Sequence, residues 1–491
     1  MGLVFAMSAG MRNSTRRLFR LTAMMVLAGA ACVQATGDDA GSAIPGSAAG
    51  GSFGSAAGPG APSPAPGPTG SGGSSAGSSG SAPPSDPGSA PVMGAPAPGM
   101  APSEEGAPPP SPPPAPPPPS SNPAPQSGLL TAGSWDDNLN YDFFKKYIQR
   151  TSLLPGVPQA AVSDRLIVRV TDAAGAPLAG ARVSVQSQQK EVAFTLTGAD
   201  GRALFFPNWS GLAGGENLTV VATVGAASAT GVARAGDAML TLPVAAAASP
   251  VTALDVAILI DTTGSMGDEI RYLQAELLNI STALAELVPT LSQRWAFVAY
   301  RDYQDNYVTR KSELVDDVAA FRAQFAGLSA GGGGDYEEAP ERGFADLDTL
   351  QWRDGAVARV AFWVGDAPHH SERAPELLQG IRALKAKGVH IYPISASGAS
   401  ELLEYSMRLA AMVTGGRYLF LTDDSGVGGA HKEPTIPCYL VTTLQKAMLR
   451  MLQMELTGTH VDPAPADVLR NGGDPQNGRC QLSSGEVVEV L

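Results

Sequence analysis

Residues 254–269 read "LDVAILIDTTGSMGDE", and the reading of this stretch decides the fold. Seven residues that are almost all apolar run into an aspartate, Asp261, followed by hydroxyls at Thr263 and Ser265. Further downstream, "DEIRYLQAELLNISTALAEL" (268–287) carries apolar residues at helical spacing. A continuous apolar strand that runs into an amphipathic helix belongs to a parallel sheet covered on both faces, because a half-exposed strand would alternate with polar residues.

The same alternation recurs outward from that point. The runs "WAFVAY" (295–300), "VARVAFWVG" (357–365), "VHIYPIS" (389–395) and "RYLFLT" (417–422) are strands. "APERGFADLDTLQW", "ERAPELLQGIRALKAKG", "SELLEYSMRLAAMV" and "LVTTLQKAMLRMLQMEL" are helical between or after them. Residues 252–456 are therefore expected to form an α/β domain with a doubly wound, mostly parallel, Rossmann-like sheet. In such sheets ligands bind beyond the carboxyl ends of the strands, where strand order reverses.

Two strands end in an acid at that edge, Asp261 and Asp366, and the loop "SAGGGGDYEEAPE" (329–341) adds Asp335. Oxygens at i, i+2 and i+4 leaving a strand can converge, and carboxylates with hydroxyls suit a hard divalent cation such as Mg²⁺, which keeps several waters. A capping box with turn glycines would also account for Ser265, Gly264 and Gly267. Arg301 and Asp302 end a neighbouring strand and are candidates for support behind the ligands. His369 and His370 offer no third nitrogen or sulfur partner nearby, which argues against zinc.

With these residues in place, "DTTGSMGDEI" resembles the metal-ion-dependent adhesion site of von Willebrand factor A domains. "VAYRDYQDN", "GGGGDYEEAPE" and "WVGDAPHH" resemble the subgroup seen in alpha-kinase-associated and hemicentin-like members. The resemblance spans about 200 residues, as expected of an α/β domain of this type. It implies a cation, Mg²⁺ or else Mn²⁺ or Ca²⁺, held by Asp261, Thr263, Ser265 and Asp366. It further implies capture of a protein partner through that ion, by way of an acidic side chain. Asp335 stands where such domains offer a threonine; a third carboxylate would strengthen metal binding and weaken attraction for an incoming carboxylate.

Before the α/β domain, residues 164–248 show short β-branched runs such as "RLIVRVTD" and "NLTVVATVG" separated by "DAAGAP" and "GADG". These predict a small antiparallel β-sandwich, and its wording resembles the carboxypeptidase-regulatory and immunoglobulin-like modules of surface proteins. Residues 129–163 are expected to contribute one short docking helix, and residues 457–491 a C-terminal tail.

At the other end, Arg12, Arg16, Arg17 and Arg20 precede "LTAMMVLAGAAC" (21–32), the charge order of an export signal. Its end at Cys32 resembles the lipobox of bacterial lipoproteins, which implies acylation of Cys32 and a membrane anchor; ordinary signal cleavage is the alternative. Residues 33–128 are a tether of Gly, Ser, Ala and Pro, with no Lys or Arg between Arg20 and Lys145, and such a composition cannot bury a core. With Cys32 acylated, Cys438 and Cys480 remain of the three cysteines. A bridge between them would close a loop of roughly 40 residues, on the order of 4 kcal/mol in the chain-entropy picture; two buried thiols are the alternative.

The net charge of −13 excludes non-specific binding to nucleic acid. No nucleophile beside a base, P-loop or dinucleotide fingerprint occurs. The expected protein is a non-enzymatic envelope component, lipid-anchored and facing periplasm or cell surface, that binds a partner through a cation. The rival readings are a structural envelope protein whose metal only stabilises the fold, and a metal-assisted hydrolase with His369 or His370 as base.

Overall fold

The computed structural model describes residues 127–490 other than Glu433. The export signal, Cys32 and the tether up to residue 126 lie outside the described residues. Strand β1, Thr131–Trp135, and helix α1, Tyr141–Thr151, come first. Seven strands follow: β2 Leu166–Thr171, β3 Arg182–Ser187, β4 Lys190–Leu196, β5 Arg202–Phe205, β6 Asn217–Val224, β7 Ala227–Arg234 and β8 Met239–Pro243. They form two sheets, β5-β2-β8 and β4-β3-β6-β7. Leu166, Val168 and Val170 from the first pack with Val183, Val185, Leu218 and Val220 from the second in one core. The expected antiparallel pattern fails at one place, since β8 runs parallel to β2. The chain changes sheets between β7 and β8, and no hairpin turn dictates the direction of return.

The remainder comprises β9 Ala253–Asp261, α2 Ile270–Leu287, β10 Ser292–Tyr300, β11 Thr309–Lys311, α3 Val318–Ala326, α4 Pro340–Thr349 and β12 Ala358–Gly365. Then follow α5 Ala374–Ala386, β13 His390–Ser395, α6 Glu401–Thr414, β14 Tyr418–Leu421, β15 Tyr439–Thr443, α7 Leu444–Thr457, β16 Arg470–Gly472, β17 Arg479–Gln481 and β18 Val487–Glu489. The architecture is mixed α/β, built on a nine-stranded sheet in the order β11-β10-β9-β12-β13-β14-β1-β15-β16. Strands β10, β9, β12, β13 and β14 are parallel. Along β9, Ala257 and Leu259 enter a core with Phe344, Leu377 and Ile381. Leu254, Val256, Ile258 and Ile260 enter another with Leu273, Leu277, Phe321 and Met448. Both faces of the strand are thus buried, which is why its sequence is apolar at every step from Val256 to Ile260.

Order reverses at β9: the chain passes first to β10 on one side and later to β12 on the other. Asp261 closes β9 and Asp366 follows β12 directly, so the topology brings these two acids to the same edge.

Residues 129–163 do more than dock one helix. Strand β1 lies inside the sheet, antiparallel to both β14 and β15. Its five residues are all buried, and Gly133 is required there. A Cβ on it would lie 2.3 Å from the ring of Phe420, its cross-strand partner. Gly133→Ala is expected to destabilise the fold by about 1–3 kcal/mol through overpacking, read from urea unfolding midpoints; an unchanged midpoint would mean that the ring moves aside freely. The last residues are also structured: β16 extends the sheet from β15, and β17 and β18 form a hairpin. A disulfide joins Cys438 to Cys480, with Cα atoms 6.3 Å apart. No helix among the described residues is long and apolar enough to cross a membrane.

Candidate functional site

Asp261 is fully buried. Its Oδ1 accepts from the backbone N–H of Thr263 at 2.8 Å and from the Thr263 hydroxyl at 2.7 Å, while Oδ2 has no partner. The Thr263 and Ser265 hydroxyls are 3.2 Å apart, and Ser265 acts on Asp366, favouring its charged form against burial. Asp366 is 5% exposed, and its Oδ1 is likewise buried without a partner. Burial, then the charge of Asp366, pushes the Asp261 carboxyl up to about 7. Burial is also the main cause that raises Asp366 to about 6. Beside them Gly365 leaves room for the Tyr300 hydroxyl, which would lie 2.4 Å from a Cβ at that position.

The glycine loop packs against this group through backbone. The N–H of Gly264 donates to the carbonyl of Gly332, and that of Gly331 to the carbonyl of Thr262, each at 3.1 Å. Gly332, at φ +83°, leaves no space for a side chain because Asp305 occupies it. Asp305 in turn accepts from Gly333 N–H at 3.0 Å. Asp335, the acid expected to join Asp261 and Asp366, is exposed at the loop surface. The loop acid that is buried is Glu338, 2% exposed, with Oε2 unpartnered. Burial first, then the charges of Asp261, Asp302, Asp305 and Asp366, raises its carboxyl to about 9. Among the described residues no group of three or more His, Cys, Asp or Glu is placed to hold a metal ion, so the three-aspartate cage is not assembled. The donor set that is assembled, two carboxylates and two hydroxyls with buried orphan oxygens on both acids, has the chemistry of a hard-cation site that draws on few protein ligands.

The flanking residues serve the scaffold. Arg301 donates to the carbonyl of Ser329 at 2.9 Å and to Thr262 Oγ1 at 3.4 Å, and lies 4.5 Å over the Tyr307 ring. Asp302 pairs with His370 Nε2 at 2.6 Å. Burial opposes the charged imidazole of His370, but the bond and charge of Asp302 outweigh it and raise the pKa. Sequence reasoning missed Glu269, 1% exposed, whose Oε1 lies 3.0 Å from His431 Nε2 while His431 Nδ1 lies 2.8 Å from Asp423. No local pattern marks residues so far apart in the chain.

His369 is fully buried, with Nε2 3.0 Å from the carbonyl of Gly156 and Nδ1 unpartnered. Burial drives its pKa down from 6.5 to about 4. The unfolded chain binds a proton between those values that the fold refuses, so stability falls as pH drops from 6.5 toward 4. The loss is about 3 kcal/mol at most. His369→Gln is expected to flatten that part of the acid limb in urea melts; an identical limb would show that other groups control it.

No family model matches the chain. An ariadne-like RING finger protein of Acanthamoeba polyphaga mimivirus is 25% identical over 186 residues, which is 34% of this chain. The chain spans 18% of that viral protein's length. Among solved structures, the conserved hypothetical protein BatB from Bacteroides thetaiotaomicron aligns with 41% of this chain and 98% of its own, at TM-score 0.30 and 11% identity.

Proposed function

We propose that residues 252–456 form a doubly wound domain of the von Willebrand factor A type that binds a protein partner through a divalent cation. Asp261, Thr263, Ser265 and Asp366 hold the ion, Mg²⁺ or else Mn²⁺ or Ca²⁺. The observation that carries this reading is the pair of buried, unpartnered oxygens, Asp261 Oδ2 and Asp366 Oδ1, at the sheet edge where strand order reverses. Each would cost about 1–3 kcal/mol if left unsatisfied, and a cation would satisfy both. When bound, the ion supplies a Lewis-acidic coordination position for an oxygen of the partner. The chain's own residues shape the site: Thr263 fixes Asp261, Ser265 joins it through the Thr263 hydroxyl, and the Gly331–Gly332 backbone holds the loop against them.

We further infer from the leader and Cys32 that the chain is exported and lipid-anchored in a bacterial envelope, with the uncharged tether setting the head off from the membrane. Partner capture, not hydrolysis, is the reading favoured, since a hydrolase would need a free base. His369 is fully buried and His370 is committed to Asp302.

The test is a pull-down from envelope extract with the full chain, in Mg²⁺ and in chelator. A partner recovered only with Mg²⁺ is expected. The same partner retained in chelator would favour an envelope scaffold in which the metal stabilises the fold alone.

A further inference from the structure

Glu338 sits beneath the glycine loop, 2% exposed. Its Oε1 and the Thr263 Cβ lie 3.3 and 3.4 Å from the point where a Cβ on Gly333 would stand. The carboxylate and the threonine therefore flank the same side-chain-free stretch of backbone. Its own N–H donates to the carbonyl of Pro368 at 2.8 Å, and a β-bridge joins it to His369. These contacts fix it to the segment that follows Asp366. Oε2 has no partner, and the charges acting most strongly on the side chain are four acids, Asp261, Asp302, Asp305 and Asp366. A buried carboxylate in that company is costly unless a cation compensates it.

We propose that Glu338, not Asp335, is the loop acid that serves the cation, by holding one of its bound waters beside Thr263. This rests on the cation reading of Asp261 and Asp366. Asp261 and Asp366 with the two hydroxyls are taken as the direct ligands, so Glu338 is assigned to the outer sphere, where a carboxylate accepts from metal-bound water and tunes the ion. The charge count then names the partner chemistry. Asp261 and Asp366 already balance a divalent ion, and a Glu338 that ionises beside the bound cation makes the loaded site net negative. The coordinating group of the partner is accordingly a neutral oxygen, an amide or a hydroxyl, and not a carboxylate.

Calorimetry of Mg²⁺ binding to the full chain, followed by acetate titration of the Mg²⁺-loaded forms, tests this. Glu338→Gln is expected to lower Mg²⁺ affinity roughly 10–100-fold and to let acetate bind where it does not bind the unmodified chain. Asp335→Asn should leave both readings unchanged. Glu338→Asp keeps the charge and should retain more Mg²⁺ affinity than Glu338→Gln, which separates a charge effect from a general disturbance of the fold. Wild-type Mg²⁺ affinity in Glu338→Gln, with Asp261→Ala unable to bind, would overturn the role of Glu338 alone. Mg²⁺ binding that survives Asp261→Ala would overturn the cation reading itself. Acetate binding equally to the unmodified chain and to Glu338→Gln would overturn the assignment of a neutral partner oxygen.

Discussion

Asp261→Ala is expected to abolish the rise in melting temperature that Mg²⁺ gives the full chain. A ligand that binds only the native state stabilises it by about 2.7 kcal/mol at a hundredfold excess over Kd. At roughly 2–4 °C per kcal/mol for a domain of about 150–250 residues, that is a shift of several degrees. The substitution removes one of the two orphaned carboxylates and the acceptor of the Thr263 N–H and hydroxyl. Its effect without metal combines opposed terms. Those two donors lose a partner, while a buried acid that burial and Asp366 disfavour disappears. The increment produced by Mg²⁺, not the absolute melting temperature, therefore isolates the site. Asp366→Ala should behave alike. A shift equal to that of the unmodified chain in either variant would place the ion elsewhere.

Much of the central sheet was legible because each parallel strand is buried on both faces, so that "LDVAILI" and "VARVAFWV" carry apolar residues almost without a break. The acids at the ends of β9 and β12 were legible for the same reason: the first polar residue after such a run marks the carboxyl edge. Strand β1 carries no such signal. Thr131–Trp135 is short and contains a glycine, and its place between β14 and β15 is fixed by pairing with residues about 290 to 310 positions away, as the partners Phe420 and Thr443 show.

The loop acid was illegible for another reason. Four consecutive glycines announce a close backbone approach, and the structure places Asp305 against Gly332 accordingly. The direction in which the chain leaves the loop depends on positive φ at Gly332 and Gly333, +83° and +77°. No spacing rule says that it is Glu338, rather than Asp335, that turns inward. The clamp of Asp423, His431 and Glu269 joins a helix start to a distant loop, a juxtaposition created only by the fold.

The acids of "SWDDN" (134–138), at the end of β1, lead to the second large effect. Asp137 is 3% exposed and receives Arg408 in a fork, Nη2 to Oδ1 at 2.7 Å and Nε to Oδ2 at 2.9 Å. The Trp135 indole adds a bond to Oδ1 at 2.8 Å. Arg408 is fully buried, lies 3.7 Å over the Tyr147 ring, and has Glu404 as a second partner at 3.2 Å. Asp137→Ala is expected to cost about 3–5 kcal/mol, because it strands a desolvated guanidinium with its fork unmatched. Combining it with Arg408→Met should cost less than the two single changes added together, since the stranded charge is then gone. Urea unfolding of all four forms measures this coupling; a single-variant loss below about 1 kcal/mol, the level of a surface pair, would show that Glu404 suffices for Arg408. The pair also ties the end of β1 to α6, beside the Asp136–Arg417 bridge at 2.7 Å. Freeing that end loosens the strand that fills the gap between β14 and β15, so the loss should extend to faster hydrogen exchange along both neighbours.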